Sequence, residues 1–222
     1  MIRILVVVPA HNEAKAIASV VTMVKQLDHA VVVIDDGSVD DTAALAKGAG
    51  AMVISTGRKS GKGNALRQGF DFALGQDIVA VITLDGDGQH DPKDIKSFLD
   101  KYDVTQAQVI NGDRMHDPKG MPPLRLVTNK FMSWIISNIC HQRIADTQCG
   151  FRFMTKEVLC QVKLECTDFE IETELLIQAS KKGFKIENAP IATIYRDEVS
   201  KIRPLRDAWR FILYLYRESQ RK

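Results

Sequence analysis

The chain has 222 residues, 45% hydrophobic and 26% charged, which excludes disordered, collagenous and coiled-coil classes and suits one soluble domain. Its 30 Lys and Arg against 28 Asp and Glu leave a net charge of +2, too small to mark a nucleic-acid binder. Cys140, Cys149, Cys160 and Cys166 form no C-x-x-C pair, so a reduced cytoplasmic chain without a zinc or disulfide framework is expected.

The apolar run from Ile4 to Ala10 meets His11-Asn12-Glu13 with no small-residue cleavage site, which reads as a strand and not a signal peptide. The hydrophobic pattern predicts strands over 2–8, 31–34, 52–55 and 78–84, with helices over about 13–27, 42–47 and 64–74 between them. A further helix opens with Asp91 as cap and Pro92 in the first turn, and a strand follows over 109–112. Continuous apolar strands in this βαβ rhythm predict a parallel sheet covered on both faces, an α/β fold. Beyond it the pattern predicts a long helix from Met121-Pro122-Pro123 to about Gln142, the 146–154 segment, a helix near 169–182, two short strands and a basic C-terminal helix. The second half reads as an elaboration of one domain spanning 1–222, with a first half over about 1–115 and a second over about 116–222.

Ligands of open parallel sheets bind beyond the carboxyl ends of the strands, so the residues directly after each strand are the first candidates. These are Pro9-Ala10-His11-Asn12-Glu13, Asp35-Asp36-Gly37-Ser38-Val39-Asp40-Asp41-Thr42 and Asp85-Gly86-Asp87-Gly88-Gln89-His90. Helix capping accounts for Asn12, for Asp40 or Asp41, and for Asp91, but not for Asp35, Asp36, Asp85 or Asp87. In an extended chain Asp85 and Asp87 would point the same way, with Gln89 adding an oxygen, and together they suit a hard cation. Two like charges ~4 Å apart repel by roughly 4 kcal/mol at a surface-like dielectric; Mg²⁺ or Mn²⁺ between them and a diphosphate reverses the sign. A D-x-D pair alone is also a common solvated turn.

The stretch Gly57-Arg58-Lys59-Ser60-Gly61-Lys62-Gly63 is not a Walker A loop, because Gly63 follows Lys62 where Ser or Thr is required. It follows the third strand and has Leu66 where a dinucleotide fingerprint places its last Gly, so a Rossmann cofactor is excluded too. A mobile, basic, Gly-rich loop beside a nucleotide is expected instead.

Five stretches taken together resemble family 2 glycosyltransferases: Pro9–Glu13, Asp35–Ser38, Gly61-Lys62-Gly63-Asn64-Ala65-Leu66-Arg67-Gln68-Gly69-Phe70, Asp85–Pro92 and Asn111-Gly112-Asp113-Arg114. The branch they most resemble is the dolichyl- or polyprenyl-phosphate sugar transferases. The resemblance continues through Asp146-Thr147-Gln148-Cys149-Gly150-Phe151-Arg152, the helix start near Phe169 and Ser200-Lys201, nearly the whole chain.

This resemblance implies a glycosyltransferase A fold, a Mg²⁺ or Mn²⁺ ion and inverting transfer from a nucleotide diphosphate sugar. Pro9, Ala10, Glu13 and Gly86 would border the nucleotide, Ile34 and Asp36 would contact base or ribose, and Asp85, Asp87 and Gln89 would hold metal and diphosphate. Arg114 would face the phosphates, and Asp87, Asp146 and Arg114 form the expected catalytic set. Ala10 stands where relatives often have Tyr, and Gly86 and Gly88 replace bulkier neighbours of the metal carboxylates, so the base stays open between guanine and uracil. Glu172 and Glu174 fit either a charged first helical turn or an acceptor-side role. Asp146 is a turn former or an acceptor-side base: a sugar hydroxyl needs its proton removed, whereas a phosphate monoester, with a second pKa of about 6, does not. Arg196 and Lys201 fall in a charged loop over 195–204, expected to close as a lid on donor and acceptor phosphates.

Leu124, Val127, Phe131, Ile135 and Ile139 make an apolar stripe, and the basic, aromatic stretch from Arg203 to Lys222 is similar in kind; each fits core packing or an anionic lipid surface. The expected activity is hexosyl transfer from GDP-mannose or a UDP-sugar to polyprenyl phosphate, at the inner face of the membrane. A carbohydrate or protein acceptor is the close alternative. A sugar nucleotidyltransferase would want a Gly-rich loop with Lys or Arg after the first strand, which Pro9-Ala10-His11-Asn12 does not supply.

Overall fold

Strand β1 (Ile4–Ala10) is buried along its whole length, and its alternating side chains enter two different cores. Leu5 and Val7 join Val32 and Ile34 on one face of the sheet, while Ile4, Val6 and Val8 join Val31 and Val33 on the other. Both faces therefore need a helical cover, as the unbroken apolar strands foretell. A computed structural model describes residues 2–194 together with Tyr214, Leu215 and Glu218.

The remaining elements are α1 (Ile17–Gln26), β2 (Ala30–Asp35), α2 (Thr42–Gly48), β3 (Met52–Ser55), α3 (Lys62–Leu74), β4 (Ala80–Thr83), α4 (Ile95–Thr105), β5 (Val109–Asp113), α5 (Pro123–Cys140), β6 (Arg152–Thr155), α6 (Lys156–Gln161), α7 (Ile171–Lys181) and β7 (Ile186–Pro190). The sheet order is β3-β2-β1-β4-β6-β5-β7. Strand β6 runs antiparallel to both β4 and β5; the other pairings are parallel. This reversal matters for the site. Arg152, which opens β6, lies opposite Thr83 and Asn111, so the segment just before it, Asp146 to Phe151, arrives at the edge where the parallel strands end.

Several boundaries differ from expectation for local reasons. The first helix begins at Ile17, because Ala16 and Ile17 both donate to the Glu13 carbonyl in a preceding turn. Asp91 does accept from Lys93 N, but Pro92–Asp94 forms a 3₁₀ turn ahead of α4. Helix α6 has no counterpart in the sequence reading, and one strand, β7, follows α7 among the described residues. The expected lid over 195–204 lies outside the described residues. So does the expected C-terminal helix, apart from Tyr214, Leu215 and Glu218.

The Gly-rich loop before α3 is anchored at its helical end. Gly61 has φ +103°, and a Cβ there would collide with the Thr167 carbonyl. A Cβ on Gly63 would stand 2.5 Å from the Cys166 carbonyl, and Asn64 N donates to Thr167 O. These glycines admit the crossing chain at 166–168.

Helix α5 turns Asn129, Ser133, Ile136 and Cys140 inward. Its opposite face exposes Leu124, Val127, Phe131 and Trp134, with the Phe131 and Trp134 rings stacked at 6.2 Å. Core packing accounts for Ile135, which lies partly buried against the core, but not for the exposed Leu124, Val127, Phe131 and Ile139. No helix among the described residues is long and apolar enough to cross a membrane.

Candidate active site

The tips of β1 and β2 are tied together before any ligand is considered. Asn12, at φ +56°, receives Val39 N on its side-chain oxygen and donates its own N–H to Ser38 Oγ. Glu13 N donates to Thr42 Oγ1, and Asp40 accepts from Thr42 and Ala14. Pro9 and Ala10 close β1 as buried residues beside this lattice. A Cβ on Gly86 would come within 3.3 Å of Ala10 Cβ, so the two small residues accommodate each other. Ile34 is fully buried beneath α3, which leaves its side chain in the core.

The protein partners of Asp36 lie in the Gly-rich loop. One carboxylate oxygen accepts from Ser60 N and Ser60 Oγ, both at 2.7 Å, and the other accepts from Gly61 N at 2.9 Å. The Gly-rich loop is thereby clamped to the end of β2, and Gly37 lets its backbone approach, since a Cβ there would stand 2.5 Å from Lys59 N.

After β4 the chain turns at Gly86-Asp87 and Gly88 has φ +72°, so Asp85 and Asp87 do not alternate along an extended strand as anticipated. Asp87 accepts from Gln89 N at 2.9 Å. Asp85 is held by Lys62, whose Nζ lies 2.7 Å from Asp85 Oδ1 and 2.6 Å from Glu172 Oε1. Burial favours the neutral amine, but the two carboxylates outweigh it and hold the Lys62 pKa above the usual lysine range. Burial likewise opposes the Asp85 carboxylate, yet Lys62 and His90 keep its pKa below the ordinary value. A Cβ on Gly150 would stand 2.8 Å from both Asp85 Oδ2 and Glu172 Oε1, so glycine makes room for this cluster. The His90 ring packs on Phe151, and burial pushes its pKa down to about 4. Its Nδ1 has no hydrogen-bond partner among the described residues.

Arg114, expected at phosphates, instead grips Asp146 with two prongs, Nε to Oδ2 at 2.5 Å and Nη2 to Oδ1 at 2.9 Å. Both side chains are buried. Asn111 Nδ2 donates to the Asp146 carbonyl, and Arg152 donates to Asn111 Oδ1, Thr147 O and the Glu172 carbonyl. This buried guanidinium ties β5, the Asp146 segment and the start of α7 into one frame. Glu174 turns the other way and accepts from the backbone N–H of Glu165 and Cys166, which bolts the chain before α7 in place.

The structure thus brings Asp85, Glu172, Arg114 and Asp146 to one sheet edge, with Asp87 and Gln89 on the adjoining turn. Glu174 accepts from the backbone before α7, Asp36 from the Gly-rich loop, and Ile34 lies in the core. Arg196 and Lys201 lie outside the described residues. Sequence reasoning gave no role to Lys62, His90, Asn111 or Arg152; for Lys62 the one signal was a lysine opening a helix between two glycines. Among the described residues no three His, Cys, Asp or Glu side chains converge as a metal cage. Two carboxylates and an amide still fit Mg²⁺ or Mn²⁺, ions that complete their coordination with substrate phosphates and water.

The glycosyl transferase family 2 profile matches residues 5–162, and the chain belongs to that family. It is a glycosyltransferase with a glycosyltransferase A-type fold, as anticipated. It is 34% identical over 220 residues to Glycosyltransferase AglJ of Haloferax volcanii, covering 97% of this chain and 71% of that protein. It is 30% identical over 211 residues to the polyprenol monophosphomannose synthase of Mycolicibacterium smegmatis, covering 88% of this chain and 78% of that one. Among solved structures, glucosyl-3-phosphoglycerate synthase from Mycobacterium tuberculosis with Mn²⁺, UDP and phosphoglyceric acid superposes with a TM-score of 0.72 at 21% identity, over 95% of this chain and 74% of that one.

Proposed function

We propose that this protein transfers a hexosyl group, with inversion, from a nucleotide diphosphate sugar to a polyprenyl phosphate presented at the cytoplasmic face of a membrane. The observation that carries this reading is the Arg114–Asp146 pair. Both Asp146 oxygens are taken up by the Arg114 guanidinium, and a phosphate acceptor needs no base beside it, since its oxygen is already ionised near neutral pH. The acceptor oxygen attacks the anomeric carbon, the new C–O bond forms, and the nucleotide diphosphate departs with the electrons of the broken bond.

On the donor side Asp85, Asp87 and Gln89 would hold a Mg²⁺ or Mn²⁺ ion, which would offset the charge of the diphosphate. The clamped loop at Ser60-Gly61 and the tied tips of β1 and β2 wall the nucleotide, GDP or UDP. On the acceptor side Arg152 fixes the backbone at Thr147 and Glu172, so the two halves meet with little freedom. The exposed Leu124, Val127, Phe131 and Trp134 face of α5 is suited to rest in a headgroup layer beside the lipid tail.

Incubation with a panel of labelled GDP- and UDP-sugars, with and without polyprenyl phosphate in anionic liposomes, tests this. The expected result is sugar on the lipid from one donor, with sedimentation of the protein that falls for Phe131→Ser and Trp134→Ser. Sugar found only on soluble glycans, with no liposome binding, favours the carbohydrate-acceptor alternative.

A further inference from the structure

Lys62 sits on the carboxylate that the donor metal needs. Its ammonium contacts Asp85 Oδ1 at 2.7 Å and Glu172 Oε1 at 2.6 Å, and lies 5.7 Å from the centre of the Phe169 ring. The side chain is largely hidden, 16% exposed, and Gly61 and Gly63 pin the start of its helix against the 166–168 backbone. The amine therefore cannot leave by swinging its whole stem into water. A divalent ion and an ammonium on the same carboxylate would repel each other by several kcal/mol at a few ångströms in a partly buried site. A metal ion reaching Asp85 would meet that repulsion for as long as the ammonium stays on Oδ1.

We propose that Lys62 is a resident cation that Asp85 exchanges for the metal ion, and that the exchange couples metal binding to nucleotide binding. Without ligand, Lys62 neutralises Asp85 and closes it to the metal. When metal and nucleoside diphosphate enter together, Lys62 withdraws from Asp85, keeps Glu172, and finds in the entering phosphates a replacement for the carboxylate it gave up. Metal alone binds weakly because its entry strips Lys62 of a partner and supplies no substitute. Glu172 is then a positioning residue, the anchor onto which Lys62 falls back. Glu172 stands in the first turn of α7, on the acceptor side of the site. This inference rests on the reading that Asp85 and Asp87 hold a metal with a nucleoside diphosphate.

Calorimetry with Mn²⁺, measured without nucleotide and with saturating GDP or UDP, tests it on the intact chain. The wild type is expected to bind Mn²⁺ at least about tenfold more tightly with nucleotide than without, a typical coupling between two sites. Lys62→Gln is expected to tighten Mn²⁺ binding without nucleotide and to shrink that ratio. Glu172→Gln removes the fallback anchor, leaves Lys62 on Asp85, and is expected to weaken Mn²⁺ binding without nucleotide; it reads the same exchange with opposite sign should Lys62→Gln fold poorly. A simple change of local field would shift both affinities equally and leave the ratio intact, so an unchanged ratio in Lys62→Gln overturns the exchange. A wild type that binds no Mn²⁺ even with both nucleotides overturns the metal reading itself.

Discussion

Arg114 and Asp146 form a buried, two-pronged ion pair at the junction of β5 with the segment that precedes β6. The pair gives Asp146 a framework role, and removing one member leaves a charge without its partner. Asp146→Asn is expected to lower unfolding free energy by about 3–5 kcal/mol in urea titrations. Any activity that remains with a phosphate acceptor should keep the acid limb of its pH–rate profile. A limb that moves or vanishes in this variant would identify Asp146 as a base.

Asp87 is half-buried on the turn after β4 and contributes charge, not an apolar side chain to the core. Asp87→Ala should therefore retain the circular dichroism spectrum of the wild type while losing at least about 10²-fold in rate, and EDTA should abolish turnover of the wild type. Activity within threefold of wild type, or full activity in EDTA, would remove the metal assignment.

Because Asp36 fastens three donors of the Gly-rich loop, Asp36→Ala should release that loop rather than merely delete a ligand contact. Hydrogen exchange is expected to speed up at the Ser60 and Gly61 amides. Nucleoside diphosphate binding should weaken while pyrophosphate binding changes little. Unaltered protection at both amides would break the clamp.

The cysteines give a pH-dependent check on the core. Burial pushes the Cys140 thiol up to about 11 and the Cys149 thiol up to about 12, so both stay protonated far above the usual thiol range. Cys160 is exposed. At pH 8 a thiol reagent should label Cys160 rapidly and leave Cys140 and Cys149 unmodified until the protein is unfolded. Fast labelling of Cys149 in the native state would contradict the packing around Phe151.

What could be read from the chain followed from sequence distance. Strands β1 to β4 declare themselves through unbroken apolar runs, and the acidic loop after β4 is contiguous, so its carboxylates are visible together. The partners of those carboxylates are not. Lys62 and Glu172 are 110 residues apart, and Arg114 and Asp146 are 32 apart, joined only because β6 reverses direction between β4 and β5. No local pattern in Arg152–Thr155 marks that reversal. The outward apolar face of α5 was ambiguous for a related reason: its inner face carries Asn129 and Ser133, and Ser133 is matched to Thr147 by tertiary hydrogen bonds that hydrophobicity does not register.

The most direct measurement compares polyprenyl phosphate with the corresponding free alcohol as acceptor, with the same nucleotide sugar, Mn²⁺ and anionic liposomes, and reads the lipid product by mass spectrometry. Transfer to the phosphate with none to the alcohol is the expected result, because the proposed acceptor arrives ionised and both Asp146 oxygens are bonded to Arg114. Equal transfer to the alcohol would require a base to deprotonate it, and would contradict the assignment of a phosphate acceptor.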